Sequence, residues 1–369
     1  MKKIHILFIS PILVVGGTER VLINIMNNLP RDKFRVELVL FDSSGRFTKN
    51  LKSDIEVYDL NIPSVTRGMF SLLKTIYRVK PDAIFSGIGH LNVSLAPFIP
   101  LFRYILPSTA WFARQSSIAT INNQFEKSPT LYNWLYRRFY KNYNKVISQS
   151  IYMQNDLVDN YSLPQERSVV INNPIDVERI TLLSKEEKSL SFDKNRINII
   201  SVGQLRPEKQ HHLALEALAK LDENYILTFL GDGEKQDYLE DLALELNIKD
   251  RVHFLGYQQN PYPYMREADL LVLSSKHEGF PNVVLEANIC GTPAVSFECP
   301  GGVVEIIDDG VNGFLVSNQD VNSLVRGIKR ATEHPFDSNI IRDMVTKKYS
   351  LGLIVEKYQK ILKEGKNYE

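Results

Sequence analysis

The sequence predicts an α/β protein built as two doubly wound halves facing across a cleft, and three observations predict it. The chain has 369 residues, long for one hydrophobic core, so two domains of roughly 150 to 200 residues are expected. Short apolar runs alternate with helical patterns nearly throughout, which is the mark of parallel sheets with crossover helices. A polar break from Val177 to Arg196 then separates one such series from a second.

Taken in order, "IHILFIS", "RVELVLF", "DAIFSGI", "STAWFAR" and "KVISQS" read as buried strands, with "RVLINIMNNL" as a helix between the first two. The stretch after "VVINNPID" is rich in Lys, Glu and Ser and poor in apolar residues, so it is expected to be a linker. The second series runs "INIISVG", the helical "HHLALEALAKL", "YILTFLG", "RVHFLG", "DLLVLSS" and "TPAVSF". The tail "SLGLIVEKYQKILKEG" carries apolar residues at helical spacing. The expected boundaries are a first domain 1–176, a linker 177–196, a second domain 197–350, and a C-terminal helix 351–369 packing back on the first domain.

Composition is that of a soluble globular protein, 44% hydrophobic and 24% charged. Cys290 and Cys299 are the only cysteines. They are too few for a disulfide framework or a thiolate cluster and suit a reducing, cytoplasmic setting. The seven histidines form no HExxH and no D-x-D triplet occurs, so no metal and no cofactor is expected. The start "MKKIHILFIS" imitates a signal peptide, but His5, Pro11 and its short apolar stretch fit a first strand better. No run is long and apolar enough to predict a transmembrane helix.

The net charge of +1 hides an asymmetry: residues 1–179 hold 22 Lys and Arg against 14 Asp and Glu, and the remainder 22 against 29. The first half is expected to be drawn to anionic surfaces, the second not.

Ligands of open α/β sheets bind outside the carboxyl ends of the strands, so candidate residues are sought just after each run. In "HEGFPNVVLE" Glu278 and Glu286 are separated by seven residues, with Gly279, Phe280 and Pro281 forming a loop. Pro281 suits the start of a helix and Gly291 its end. The N–H groups of Asn282, Val283 and Val284, with the helix dipole behind them, would make a phosphate site. Glu286, one turn further in among Val, Leu, Ala and Ile, needs hydrogen-bond donors if buried, and vicinal ribose hydroxyls have the right shape. Glu278, in the loop, would meet a sugar beyond the phosphates. Spacing alone leaves open a solvated loop Glu and an ordinary surface helix Glu.

Gly203 follows the second series' first strand in "ISVGQLRPEKQ", and Arg206 and Lys209 stand ahead of the next helix. Two cations there would offset diphosphate charge without a metal. Gly16 and Gly17 lie between a strand and a helix, where a ligand could approach the backbone; a tight turn explains them equally. The strand ends also offer His90, Asn92, Arg114, Ser148 and Ser150, each an acceptor contact or a satisfied rim residue.

These motifs together resemble a retaining glycosyltransferase of family 4, with two Rossmann-like domains in the GT-B arrangement. "GGTERVLINI", "VISQS…VVINNPID", "VGQLRPEK", "FLGDGE", "EGFPNVVLEANICGTPAVSF" and "PGGVVEIIDDGVNGFLV" occur in the family's order along nearly the whole chain. The resemblance implies Glu278 as the donor-sugar contact, Glu286 as the ribose ligand and Lys209 as the diphosphate lysine. It also implies that the Gly16–Gly17 loop approaches donor and acceptor, and that the donor is a nucleotide sugar, UDP-linked by family frequency. Gln204 departs from the family's usual Arg; either Arg206 supplies the missing charge or the grip on phosphate is weaker. The family's HD-type element is absent, with Arg114 in a comparable place.

The stretch 131–146, "LYNWLYRRFYKNYNKV", has six aromatic residues and four cations with no acid. Such a helix suits an anionic membrane interface, though core packing uses aromatics too. With "PFIPLFRYIL" it points to peripheral attachment on the inner face of the plasma membrane and to a saccharide acceptor carried on a lipid, in surface polysaccharide or lipopolysaccharide assembly. The acidic second half speaks against nucleic acid as a partner. A sugar-nucleotide epimerase or a non-catalytic sugar-binding protein would share this architecture.

Overall fold

Thirteen β-strands in two wholly parallel sheets organise the computed structural model, which describes residues 2–14 and 16–365. The chain divides into two units, Met1–Pro174 with Leu351–Glu369, and Ile175–Ser350.

Unit 1 contains β1 (Ile4–Ser10), α1 (Gly17–Asn28), β2 (Phe34–Leu40), β3 (Glu56–Asp59), α2 (Val65–Val79) and β4 (Ala83–Ser86). It continues with α3 (Gly89–Leu95), α4 (Ile99–Ile105), β5 (Ala110–Arg114), α5 (Ala119–Asn122), α6 (Pro129–Phe139), β6 (Lys145–Ser148), α7 (Ile151–Tyr161) and β7 (Ser168–Val170). The strand order is β3-β2-β1-β4-β5-β6-β7. Residues Ile6 to Ile9 of β1 are all fully buried, as befits a parallel strand covered on both faces. Alternate side chains serve opposite layers: Ile6 and Phe8 pack with Val21, Leu22 and Met26 of α1. Leu7 and Ile9 pack with Leu72 and Ile76 of α2, Ile99 of α4 and Tyr136 of α6. Side-chain caps set two of the helix starts, Ser64 accepting from Arg67 N and Ser150 from Met153 N. Ser150 is thereby a structural residue.

Unit 2 begins with α8 (Val177–Leu183) and contains β8 (Ile197–Val202), α9 (His211–Ala219), β9 (Tyr225–Leu230), α10 (Gln236–Glu245), β10 (Val252–Phe254) and α11 (Tyr262–Glu267). It goes on through β11 (Leu270–Leu273), α12 (Asn282–Cys290), β12 (Ala294–Phe297), α13 (Val303–Ile306), β13 (Gly313–Val316), α14 (Val321–Glu333) and α15 (Ser338–Tyr349). Its strand order is β10-β9-β8-β11-β12-β13. The last helix, α16 (Leu351–Glu364), belongs to unit 1, where it lies against α1. There Ile354, Val355 and Leu362 are buried and the Tyr358 ring meets Phe85 edge-on at 5.9 Å.

The expected linker 177–196 and the expected domain start at 197 are corrected by this division. The stretch is part of unit 2, because its few apolar residues are used there. Ile175 and Ile180 are buried in the unit 2 core, and Leu183, Leu190 and Phe192 pack against it. The Lys188 ammonium stacks 4.1 Å from the Phe192 ring centroid and pairs with Glu267. A polar composition therefore concealed a strap held by a handful of contacts.

Candidate functional site

In unit 2 the chain runs from β8 leftward to β9, while β11 joins on the other side of β8. The loops after β8 and β11 therefore diverge, and a crevice opens at such a switch point. Lys209 comes from the first loop and Glu278 from the second, and the fold brings them together: Lys209 Nζ lies 2.6 Å from Glu278 Oε1. Ser275 Oγ donates to the same oxygen at 2.6 Å. The Glu278 side chain is 11% exposed, so it is not a solvated loop residue. Two hydrogen bonds hold the loops in register, Ser274 Oγ donating to Lys209 O at 2.9 Å and Lys276 N to Glu208 O at 2.8 Å.

A third segment clamps Glu278 from behind. Glu278 N donates to Pro300 O at 3.0 Å and Gly302 N to Gly279 O at 3.1 Å, making a short parallel bridge between Glu278 and Gly301. Gly301 has φ of +127° and an added Cβ would overlap the Glu278 carbonyl, so only glycine allows this approach. Gly301→Ala is expected to destabilise the protein by more than about 1 kcal/mol and to depress activity further by moving Glu278. Thermal unfolding and activity measured on the same preparation check this; an unchanged melting temperature with full activity contradicts it.

Helix α12 starts at Asn282 after Pro281 and stops at Gly291, whose φ is +90°, as the proline and glycine predict. The Val284 N–H is engaged with Pro281 O at 3.1 Å, so it leaves the set of expected phosphate donors. Glu286 is only 9% exposed, and Tyr262 of α11 sets its hydroxyl 3.4 Å from Glu286 Oε1. Cys290 and Cys299 are both buried. Burial, and then the charge of Glu286, pushes the Cys290 thiol up to about 12; burial, and then Glu278, does the same for Cys299. Tyr262 and Ser275 are hydrogen-bond partners of the two glutamates that sequence reasoning missed. Ser275 stands three residues before Glu278, a spacing that could have been noticed; Tyr262 is 24 positions from Glu286 and carries no local signal.

Other predicted residues fall less centrally. Arg206 is exposed and lines a hollow of about 250 Å³ with His212, Lys235 and Tyr238, whose lining includes neither Lys209 nor Glu278. Arg206 and Lys209 nevertheless leave the same short turn, with Lys209 N donating to Arg206 O at 3.1 Å. Gln204 is exposed, and its carbonyl faces His211 Nε2 at 3.3 Å. Burial lowers the His211 imidazole to about 4, so this buried ring is neutral at pH 7. Gly203 presents open space where a Cβ would be. Phe280 is a core residue, its ring 5.5 Å from that of Tyr349. Val283 is partly buried in the first turn of α12.

In unit 1 the corresponding switch point lies between β1 and β4. Gly16 and Gly17 follow β1, and an added Cβ at Gly16 would strike the Glu19 carboxylate. Burial pushes the Glu19 carboxyl up, opposed by its own N–H and by Arg114; sequence reasoning did not single it out. Of the three acceptor candidates, His90 alone is exposed, at the start of α3. Asn92 and Arg114 are corrected to interior residues, both fully buried. Asn92 Nδ2 donates to Arg114 O at 3.0 Å, and Arg114 Nη2 to Asn173 Oδ1 at 2.6 Å. Polar residues at or just after strand ends looked like a rim, whereas these two tie α3, the end of β5 and Asn173 together inside the unit.

Unit 2 thus sets a lysine and two sheltered carboxylates at the switch point of a parallel sheet. Comparison with known proteins makes this specific. The description "Glycosyl transferases group 1" matches residues 184–349, and "Glycosyltransferase Family 4" matches residues 15–179. The chain is 27% identical over 343 residues to the Campylobacter jejuni N-acetylgalactosamine-N,N'-diacetylbacillosaminyl-diphospho-undecaprenol 4-alpha-N-acetylgalactosaminyltransferase, covering 90% of this chain and 91% of that one. It is 23% identical to the Escherichia coli UDP-Gal:alpha-D-GlcNAc-diphosphoundecaprenol alpha-1,3-galactosyltransferase, covering 90% and 88%. Among solved structures, Anabaena HepE in complex with UDP-glucose superposes with a TM-score of 0.77 at 22% identity, covering 98% and 99%. Sucrose-phosphate synthase from Thermosynechococcus elongatus gives 0.80 at 16%, again covering 98% and 99%. The chain belongs to the group 1, family 4 glycosyltransferases and has the GT-B fold.

Proposed function

We propose that the protein moves a hexose or N-acetylhexosamine from a UDP-sugar to a saccharide acceptor carried on a lipid, with retention of anomeric configuration. The observation that carries this is the Lys209–Glu278 pair at the β8/β11 switch point, with the sheltered Glu286 in the second turn of the helix that follows. Relatives that act on diphospho-undecaprenol-linked sugars support the acceptor class, and the HepE complex supports UDP as the nucleotide. The product would enter surface polysaccharide, lipopolysaccharide or a related glycan.

The chemistry follows from where charge develops. The bond from the anomeric carbon to the donor phosphate breaks, and negative charge grows on the diphosphate while the sugar becomes oxocarbenium-like. Lys209 and the start of α12 meet that charge electrostatically, without a divalent cation. The departing phosphate oxygen takes the acceptor hydroxyl's proton on the face the leaving group vacates, which preserves configuration. Glu278 holds the sugar hydroxyls and Glu286 the ribose. A Glu278 double displacement, after the manner of retaining glycosidases, would instead require its carboxylate directly beneath the anomeric carbon.

A panel of nucleotide sugars scored by thermal shift tests the donor assignment. UDP-sugars should raise the melting temperature of the wild type. Glu286→Ala should bind them about 10 to 100-fold more weakly, the effect of losing bonds to two hydroxyls. A shift that persists unchanged in that variant refutes the ribose role. Incubation with UDP-hexoses adds a second discrimination, since transfer or slow hydrolysis releases UDP whereas epimerisation yields a new sugar nucleotide. We further propose that the protein works at the inner face of the plasma membrane. The attachment proposed is peripheral; among the described residues no helix is long and apolar enough to cross a membrane.

A further inference from the structure

Helices α2, α3, α4, α6 and α7 form the layer on one face of the unit 1 sheet, sharing a single core. Neighbours α2 and α3, α3 and α6, and α6 and α7 touch, and α4 is tied to the segment after α6 by Arg103 Nη2 donating to Asn142 O at 2.6 Å. Their inner faces are well packed. The tyrosines Tyr136, Tyr140 and Tyr143 are buried, so part of the aromatic stretch 131–146 is core.

The outer faces are of another kind. On α2 the outward stripe reads Arg67, Phe70, Lys74, Tyr77, Arg78, and Phe70 is 79% exposed. On α4, Leu101, Tyr104 and Ile105 point outward, with Tyr104 at 88%. On α6, Leu131 and Trp134 share the exposed side with Arg138 and, just beyond, Lys141. The opposite layer, α1 and α16, exposes Leu353 alone among large apolar side chains of the described residues, at 37%. Charge follows the same division: residues 60–149 hold 11 Lys and Arg against two acids, Asp82 and Glu126. Asp82 is moreover engaged by the His5 N–H at 2.8 Å.

We propose that the outer face of the α2–α4–α6 layer is the surface by which this protein docks on an anionic lipid bilayer, with Phe70, Tyr104 and Trp134 entering the headgroup region. This rests on the lipid-linked acceptor reading above and extends it to a specific surface. Interleaved aromatics and cations are what an interfacial helix needs, since rings settle at headgroup depth while lysine and arginine reach lipid phosphates. Three such helices in one layer, with α2 and α6 both touching α3, give a plane rather than a line of contacts, and each cation near an anionic leaflet adds attraction that salt screens. Single-stranded nucleic acid is the competing polyanion. It stacks bases on aromatics set along one groove, whereas these rings stand on the outward sides of separate helices.

The test is sedimentation of the purified full chain with vesicles of phosphatidylcholine alone or with added phosphatidylglycerol, at low and high salt. Wild type should sediment with the anionic vesicles at low salt and much less with neutral ones. Phe70→Ser combined with Tyr104→Ser should weaken binding by about tenfold, and Lys74→Glu combined with Arg78→Glu should remove its salt-sensitive part. Leu353→Ser should bind as wild type, and all variants should keep the thermal shift given by UDP. If both double variants bind vesicles normally, this surface is wrong while attachment elsewhere stands. If wild type fails to bind, the surface and the peripheral reading fall together, and the UDP shift still reports on the donor site. If an oligonucleotide competes with the vesicles and binds less well to the same variants, the face is a nucleic-acid surface and the proposal is overturned. Should a double variant fail to fold, Phe70→Ser and Tyr104→Ser are measured singly, both positions being outward on their helices.

Discussion

Lys209→Ala is expected to lower the rate of sugar transfer by about 10² to 10³-fold, the usual cost of deleting one group that faces developing negative charge. The position is unusually well fixed for a lysine. Its backbone carbonyl accepts from Ser274 Oγ at 2.9 Å and its ammonium sits 2.6 Å from Glu278 Oε1. Alanine would remove the cation and leave Glu278 with Ser275 as its remaining side-chain donor. Steady-state kinetics with saturating donor check the effect. A variant that retains wild-type kcat would show that the diphosphate is neutralised elsewhere, for which Arg206 and Lys235 across their shared hollow would be the next residues to replace.

Glu278→Gln should have a comparable effect on the rate, about 10² to 10³-fold, while UDP affinity changes only a few-fold, because the role proposed for Glu278 is to engage the sugar as it reacts and not the nucleotide. The amide keeps an oxygen for Ser275 and Lys209, so the loop held by Pro300 and Gly301 should stay in place. On the reading proposed above, what is removed is the charge that strengthens the hold of Glu278 on the sugar hydroxyls. Parallel measurement of kcat and UDP affinity separates this from misfolding. Loss of UDP binding together with activity would mean that Glu278 serves the nucleotide, and the division of labour between the two carboxylates would have to be redrawn.

How much of this was legible beforehand depended on how local the physics was. The β1 run Ile6–Ile9 and the limits of α12 were readable, because burial on both faces, a proline at the start and a glycine in the left-handed region act within a few residues. The pairing of Lys209 with Glu278, 69 positions apart, could be anticipated only from the rule that ligands gather at strand ends. Nothing local announces Tyr262 beneath Glu286, nor that Asn92 and Arg114 would be braces inside unit 1. Those outcomes are settled by which loops share a switch point and which distant polar groups the fold brings within hydrogen-bonding reach. The strap 177–196 shows the converse error. Average polarity was misleading, since Ile180 and its few apolar neighbours suffice to anchor it.

The two thiols offer a consequence of a different sort. Cys290 closes α12 one turn after Glu286, and Cys299 leads into the Pro300–Gly301 clamp on Glu278; each is buried and held protonated well above neutral pH. Neither reacts with an alkylating reagent until its surroundings come apart, since the thiolate is the nucleophile. Labelling rates therefore count the transient openings of the very segments that carry the carboxylates. Saturating UDP should slow modification at both sulfurs in proportion to its grip on the closed form, giving a readout of nucleotide engagement that needs neither an acceptor nor turnover.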